Sequence, residues 1–392
     1  MKEKNFTLLL VFALFFIPYV THGYHHFFAM GYASCMTCHY HPQGNGPLND
    51  YGRALFATEL SSRWYVPRST SDDELGEKSG FFWGAKGPQW LRPHIKLRYL
   101  QITDGPNSST SSNKSYAMQR EVGMAFLTSP EEKTLWVTTF TFHDPQGKYR
   151  TSSYQNFNES GSFLKELYYR RALGEERWLL IGMQDQVFGI RDVNHTLFSR
   201  RLPRLTQYDQ SLGITYFLTK ETYEWTVMGF MGNINEPPEY RMGGVSTLFE
   251  RQLDDQTRLG FSFLTKKNNF HEIFALAPQA RLNLNYDAAF SFELGFLSVA
   301  NLNTKAATTP TYLLAQMMYR LTRGWNFIIE NEIAKVDSGG DSPIAVRTYF
   351  GLLAFVIPRG ELRFNVNNGR TINFAQGQSD AWQLQTQLHL SL

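Results

Sequence analysis

The chain has 392 residues, with 38 Lys and Arg against 35 Asp and Glu and a formal net charge of +3. That near-balance argues against nucleic-acid binding as a main role. Aromatic residues reach 15%, and beyond the first twenty positions no apolar stretch is long enough for a helical membrane span, so the composition calls for an all-β explanation.

Lys2 and Lys4 precede an apolar run from Phe6 to Val20, followed by Thr21-His22-Gly23. A charged start, an apolar middle and a small residue at the end predict a secretory signal peptide over 1–23. The run is about 15 residues, short of the roughly 20 that a spanning helix needs.

Residues 24–65 hold the only two cysteines, in Cys35-Met36-Thr37-Cys38-His39. Cys-x-x-Cys-His is the attachment motif for c-type haem. Thiols at this spacing form thioethers to the two vinyl groups of one porphyrin, and the adjoining imidazole becomes the proximal iron ligand. Cys35 and Cys38 are therefore the expected cofactor-binding residues for one covalent haem c, with His39 on the iron. The rivals are a CxxC disulfide, a redox dithiol and half of a zinc site. No second cysteine pair completes a zinc site, and no βαβ pattern surrounds the motif. Haem attachment outside the cytoplasm agrees with export.

A loop, His41-Pro42-Gln43-Gly44-Asn45-Gly46-Pro47, comes after the motif. Asn49 can then cap a short helix, with Leu48, Tyr51, Leu55 and Thr58 at near-helical spacing. Some 60 residues are too few to bury a haem unaided, so this segment is expected to lie in or beneath the C-terminal domain. Residues 66–89 read as a linker, with Asp72-Asp73-Glu74 solvated.

From about Trp90 the period becomes two. Trp382, Leu384, Thr386, Leu388, Leu390 and Leu392 alternate with Gln383, Gln385, Gln387, His389 and Ser391. That length matches a transmembrane strand of an outer-membrane barrel, apolar to lipid and polar to the lumen; sandwich strands run about five or six residues. Such segments occur at 90–102, 115–129, 133–144, 161–174, 175–189, 207–220, 221–234 and 242–254. They continue at 255–266, 270–284, 286–300, 311–322, 324–336, 343–357, 360–370 and 380–392. The expected fold is an all-β, antiparallel outer-membrane β-barrel of about 16 strands over 90–392, with fourteen or eighteen as alternatives. Tight turns alternate with longer connections, as periplasmic turns and external loops do. Trp136, Trp178, Trp225 and Trp325 are expected in aromatic girdles, apart from any that pack on the N-terminal segment.

Candidates for a distal iron ligand are His25, His26, Met30, Met36, His41, His94 and His389. Met36 and His41 sit too close to His39 to reach the opposite haem face. Pro93, Ile95, Leu97 and Tyr99 share one strand face, which turns His94, Lys96 and Arg98 into the lumen, so His94 is the first choice. Arg191, Arg200, Arg201 and Arg204 cluster in the connection 190–206. They make either a basic constriction or an anion-binding loop inside the pore, or a solvated external loop touching lipid phosphate. No nucleophilic triad, Walker loop or paired-carboxylate motif stands out.

With Leu48-Asn49-Asp50-Tyr51-Gly52-Arg53 behind the haem motif, the chain resembles the fused monohaem cytochrome–porin family of iron-oxidation-type outer-membrane cytochromes. The resemblance in motifs spans about thirty residues; over the barrel it is architectural. It implies an electron conduit, an electron-transfer protein rather than a bond-making enzyme, and an oxidoreductase if enzymatic. Single electrons would pass between an extracellular donor such as Fe(II) and a periplasmic carrier such as a soluble cytochrome c, with the barrel in outer-membrane lipid. The alternatives are a diffusion porin whose haem segment is a structural plug or redox sensor, and a barrel with a plain disulfide.

Overall fold

The computed structural model describes residues 32, 34–44, 46–80, 88–105, 113–129, 131–142, 162–192, 194, 196–338, 342–373 and 377–391. The expected signal peptide, His25, His26 and Met30 lie outside the described residues.

One antiparallel sheet closes on itself. Its strands are β1 (Leu91–Asp104), β2 (Asn113–Leu127), β3 (Thr134–Phe142), β4 (Ser162–Ala172), β5 (Arg177–Gln184) and β6 (Ser211–Thr219). Next come β7 (Tyr223–Phe230), β8 (Gly243–Gln252), β9 (Thr257–Lys267), β10 (His271–Asn285), β11 (Ala288–Asn301) and the two-residue β12 (Ala307–Thr308). The wall is completed by β13 (Thr311–Thr322), β14 (Trp325–Lys335), β15 (Ile344–Ile357), β16 (Gly360–Asn373) and β17 (Gly377–Ser391). β12 only extends the edge of β11, which pairs directly with β13, so the wall has 16 strands. β1 pairs with β17 from Lys96↔Ser391 to Asp104↔Gln383 and closes the ring. Closure gives every strand two neighbours, which is what the hydrocarbon layer demands of backbone polar groups.

Each predicted segment falls on a strand. The largest departure is at 175–189, where the strand stops at Gln184. The tight turns, such as 173–176 between β4 and β5, lie at one rim and the longer connections at the other, where the 268–270 link between β9 and β10 is also short; the turn rim is the periplasmic one in barrels of this kind.

The period-two pattern sorts the faces as expected. Leu97, Tyr99, Leu384 and Leu388 are 39–49% exposed on the outside, whereas His94 and Arg98 are 5% exposed within. Trp136 and Trp225 face outward next to turns, 47% and 43% exposed. Trp178 differs: it packs inward beside Phe217, ring centroids 5.5 Å apart, against a cluster that the N-terminal segment completes.

That segment fills the turn rim. Asn49 caps α1 (Asp50–Leu55), which runs on as one π turn through Phe56–Leu60. Its end packs Leu60 and Phe56 on Met318, Leu353 and Phe355 of β13 and β15, and Ser62 N donates to Phe355 O at 2.9 Å. The expected linker is partly ordered. Ser71 caps α2 (Asp72–Glu77), where Asp72, Asp73 and Glu74 form the first turn and favour the positive end of the helix. Arg359, from the β15–β16 turn, donates to Gly80 O at 2.7 Å.

Candidate functional site

The Cys-x-x-Cys-His motif forms a single 3-10 turn, Cys35–Thr37, capped by the Ser34 side chain. Cys38 N and His39 N both donate to Cys35 O, at 3.2 and 2.9 Å. The residues from Leu48 to Arg53 find their purpose in this turn. Asn49 donates through Nδ2 to Thr37 O at 2.9 Å and to Met36 O at 3.3 Å, and its Oδ1 accepts from Gly52 N at 2.7 Å. One side chain therefore holds the motif and starts α1. A Cβ on Gly52 would sit 2.3 Å from Cys38 O, closer than any real contact, so only glycine lets helix and motif touch. Asp50 ties the assembly to the wall through two hydrogen bonds from Arg92 of β1, at 2.7 and 2.6 Å.

The segment is buried on the wall by Tyr40, 0% exposed among Ala125, Leu127, Leu135, Val137, Tyr168 and Leu180. Burying a side chain of this size contributes roughly 3 kcal/mol. The Arg170 guanidinium lies over the Tyr40 ring at 5.2 Å, and Tyr40 OH donates to Glu132 at 2.9 Å. His41 is also fully buried, with Nε2 3.2 Å from Gln184 Oε1; burial pulls its pKa down to about 4, so it stays neutral. Lys96 donates to Gly46 O at 2.8 Å.

No disulfide joins Cys35 and Cys38. Burial pushes the Cys35 thiol up to about 11 and the Cys38 thiol up to about 12. The turn sets the Cys35 and Cys38 thiols beside the His39 imidazole. This donor set fits covalent haem attachment. Cys35 borders a cleft of about 40 Å³ with Arg191, Glu224, Glu250 and Arg281. The last three belong to a buried network in which Arg258 meets Glu224 at 2.5 Å and Arg281 meets Glu250 at 3.1 Å.

His94 faces inward as read, but its Nε2 lies 3.2 Å from Thr139 Oγ1, and that hydroxyl donates to Glu166 at 2.8 Å. His389 pairs across the closure with Arg98 and approaches Glu361 at 3.4 Å.

The connection between β5 and β6 corrects the reading of a solvated external loop. It folds into the barrel and crosses to the far wall. Val187, Phe188 and Leu205 are buried on Met228, Leu264 and Leu297. Gly189 N donates to Ser262 Oγ at 2.9 Å, Asn194 Nδ2 to Glu330 at 2.8 Å, and Phe198 N to Glu332 at 2.5 Å. Arg191 pairs with Asp185. Arg200, on the short helix α3 (Phe198–Arg201), donates to Phe188 O and Leu205 O at 3.1 and 3.0 Å. These two arginines hold the connection in shape, while Arg201 faces an open space. That space, about 380 Å³, lies toward the loop rim between the connection and strands β1, β2 and β15–β17.

The fold is a closed 16-stranded antiparallel barrel of the kind that outer-membrane porins have. No protein-family model and no curated protein sequence matches the chain. Solved structures do. The chain is similar to OmpT, an outer-membrane protein of Vibrio cholerae, at TM-score 0.59 and 6% identity over 78% of this chain and 99% of that one. It is similar to OprB of Pseudomonas putida at 0.56 and 7%, over 78% and 94%. It is also similar to an anion-selective porin from Comamonas acidovorans at 0.54 and 8%, over 77% and 99%. At such identities the likeness is one of fold.

Proposed function

We propose that this protein is an outer-membrane barrel whose N-terminal segment carries one covalent c-type haem and passes single electrons between an extracellular donor, such as Fe(II), and a periplasmic carrier such as a soluble cytochrome c. The observation that carries this reading is the position of the Cys35–His39 turn. It is clamped by Asn49, seated in the barrel mouth by Tyr40, and faced from the other side by Gly189 and Arg191 of the infolded connection. Cys35 and Cys38 would hold the porphyrin and His39 its iron. A haem so bound supplies one-electron chemistry, and outer-sphere transfer breaks no substrate bond. The chain's own part is to fix the turn inside the wall and exclude water around it. The resemblance to fused cytochrome–porins rests on the residues that make this clamp, Leu48 to Arg53.

A second reading is a diffusion porin in which the segment is a structural plug or redox sensor. The likeness to plain porins and the open space at the loop rim favour it more directly than they favour the first.

Proteoliposomes containing the intact protein separate the two. The first reading predicts that an external, impermeant donor reduces an enclosed acceptor, and that a Cys35→Ser, Cys38→Ser variant abolishes this. Solute-driven swelling without electron transfer would leave the porin reading and refute the conduit.

A further inference from the structure

The lumen has a sector that neither the plug nor the infolded connection fills. Among the described residues its walls carry four cations, Lys114, Arg201, Arg347 and Arg363, and no carboxylate lines it. The rest of the lining is largely neutral donor groups, Asn365 and Gln385 among them. The nearby acids also face the lumen but have partners of their own. Glu332 accepts from Phe198 N, Glu330 from Asn194 and Gln316 and Asp192 from Gln316, while Glu361 approaches His389 at 3.4 Å and Arg363 at 3.8 Å. Lys114 sits toward the rim, 3.4 Å from Asp104, so the three arginines dominate the interior.

Their placement is built rather than incidental. Arg347 lies over the Phe198 ring at 4.1 Å and donates to Thr196 O at 3.0 Å, which fixes its guanidinium against the connection. Arg201 comes from α3 on that connection, and Arg363 from β16 on the opposite wall. Guanidinium groups thus approach one space from two sides. Planar forks of this kind match carboxylate and phosphate oxygens, and a low-dielectric wall with one sign of charge focuses its field on the enclosed solvent.

We propose that this space is a binding vestibule for a small polyanion bearing carboxylate or phosphate groups, entered from the loop rim, with Arg201, Arg347 and Arg363 as the recognising set. A transition-metal chelate with net negative charge belongs to the same class. The proposal stands apart from the haem reading, since none of these residues touches the Cys35–His39 turn in the structure.

The test uses citrate and inorganic pyrophosphate as probes, titrated into the full-length, detergent-solubilised protein by calorimetry, with spermidine as the cationic control. Saturable binding of at least one anion is expected, weakening as NaCl rises because the contacts are ionic. Arg363→Gln and Arg201→Gln should each weaken it about tenfold and the double variant about a hundredfold, the usual scale for charge-assisted hydrogen bonds. Arg347 is left intact because it also packs on Phe198. Retained resistance to heat and trypsin confirms that the variants are folded. Absence of saturable anion binding to the wild type, binding of spermidine as tight as that of the anions, or unchanged affinity in a folded double variant would each overturn the proposal. Attachment of haem is scored separately by absorbance, so failure of one reading leaves the other standing.

Discussion

Two sectors of the same lumen follow opposite chemistry. Along β2, β3 and β5 near the turn rim the inward Leu127, Leu135, Val137 and Leu180 bury Tyr40, with Arg170 of β4 over its ring. Across β15–β17 toward the loop rim the inward residues are Arg347, Arg363, Asn365, Asn367, Gln383, Gln385 and Gln387, facing open space. Both stretches are lumen-facing strand positions, so barrel geometry alone does not set their polarity. What lies opposite does. Around Tyr40 the wall is built like a protein core; toward the loop rim it carries mostly amides and guanidinium groups, beside Leu100 and Ile102.

The sharpest way to break the covered sector is at the motif clamp. Gly52→Val would drive a side chain into Cys38 O, a clash costing about 3 kcal/mol or more. Trypsin is expected to cut the variant at Arg63 and Arg68 while sparing the wild type; equal protection would show that the clamp does not seat the plug.

The outer face gives the next effect. Leu388 is 39% exposed toward lipid, and Leu388→Arg should destabilise assembly by roughly 2–4 kcal/mol if it lies near the midplane. Gln385, on the wet inner face, should tolerate the same change. Heat-modifiability on gels reads both, and similar losses would contradict the face assignment.

The smallest effect is at Asp50. Burial raises its carboxyl pKa, but hydrogen bonds and charge from Arg92 and Arg53 outweigh that and hold it below the ordinary 3.8. A depressed carboxylate contributes stability above its unfolded pKa that is lost as pH falls through the folded one. The side chain is 57% exposed, so the contribution is about 0.2–1 kcal/mol. Wild-type plug protection is expected to weaken slightly below pH 3.8, and Asp50→Asn to lose that dependence; a variant that kept it would remove Asp50 from the seat.

The sequence disclosed the wall almost completely, because period two is a local signal and barrel closure only repeats it. Asn49 as a cap was legible too, though its second bond to the motif turn was not, since that needs the chain to fold back. β5 ends at Gln184, where Asp185-Gln186-Val187-Phe188 breaks the alternation, so the expected strand to 189 overran a stop that was visible in the sequence. The available sign was apolar content: Phe188, Ile190, Leu197 and Phe198 suit no solvated loop. The surroundings of Cys35 could not be read at all. Glu224, Glu250, Arg258 and Arg281 each looked like an ordinary lumen residue, and only closure brings four strands' charges to one thiol. His94 was placed on the correct face, but the face fixes direction and not the partner, which is Thr139.

The central claim is that the clamped turn in the barrel mouth carries a haem. Its most direct test is the pyridine haemochrome spectrum of the purified full chain, produced in a host with the c-type haem maturation machinery. The account predicts a c-type spectrum with one haem per chain, retained on a denaturing gel and absent from the Cys35→Ser, Cys38→Ser variant. A folded barrel with no bound haem under those conditions, its two cysteines titrating as thiols or joined in a disulfide, would contradict it.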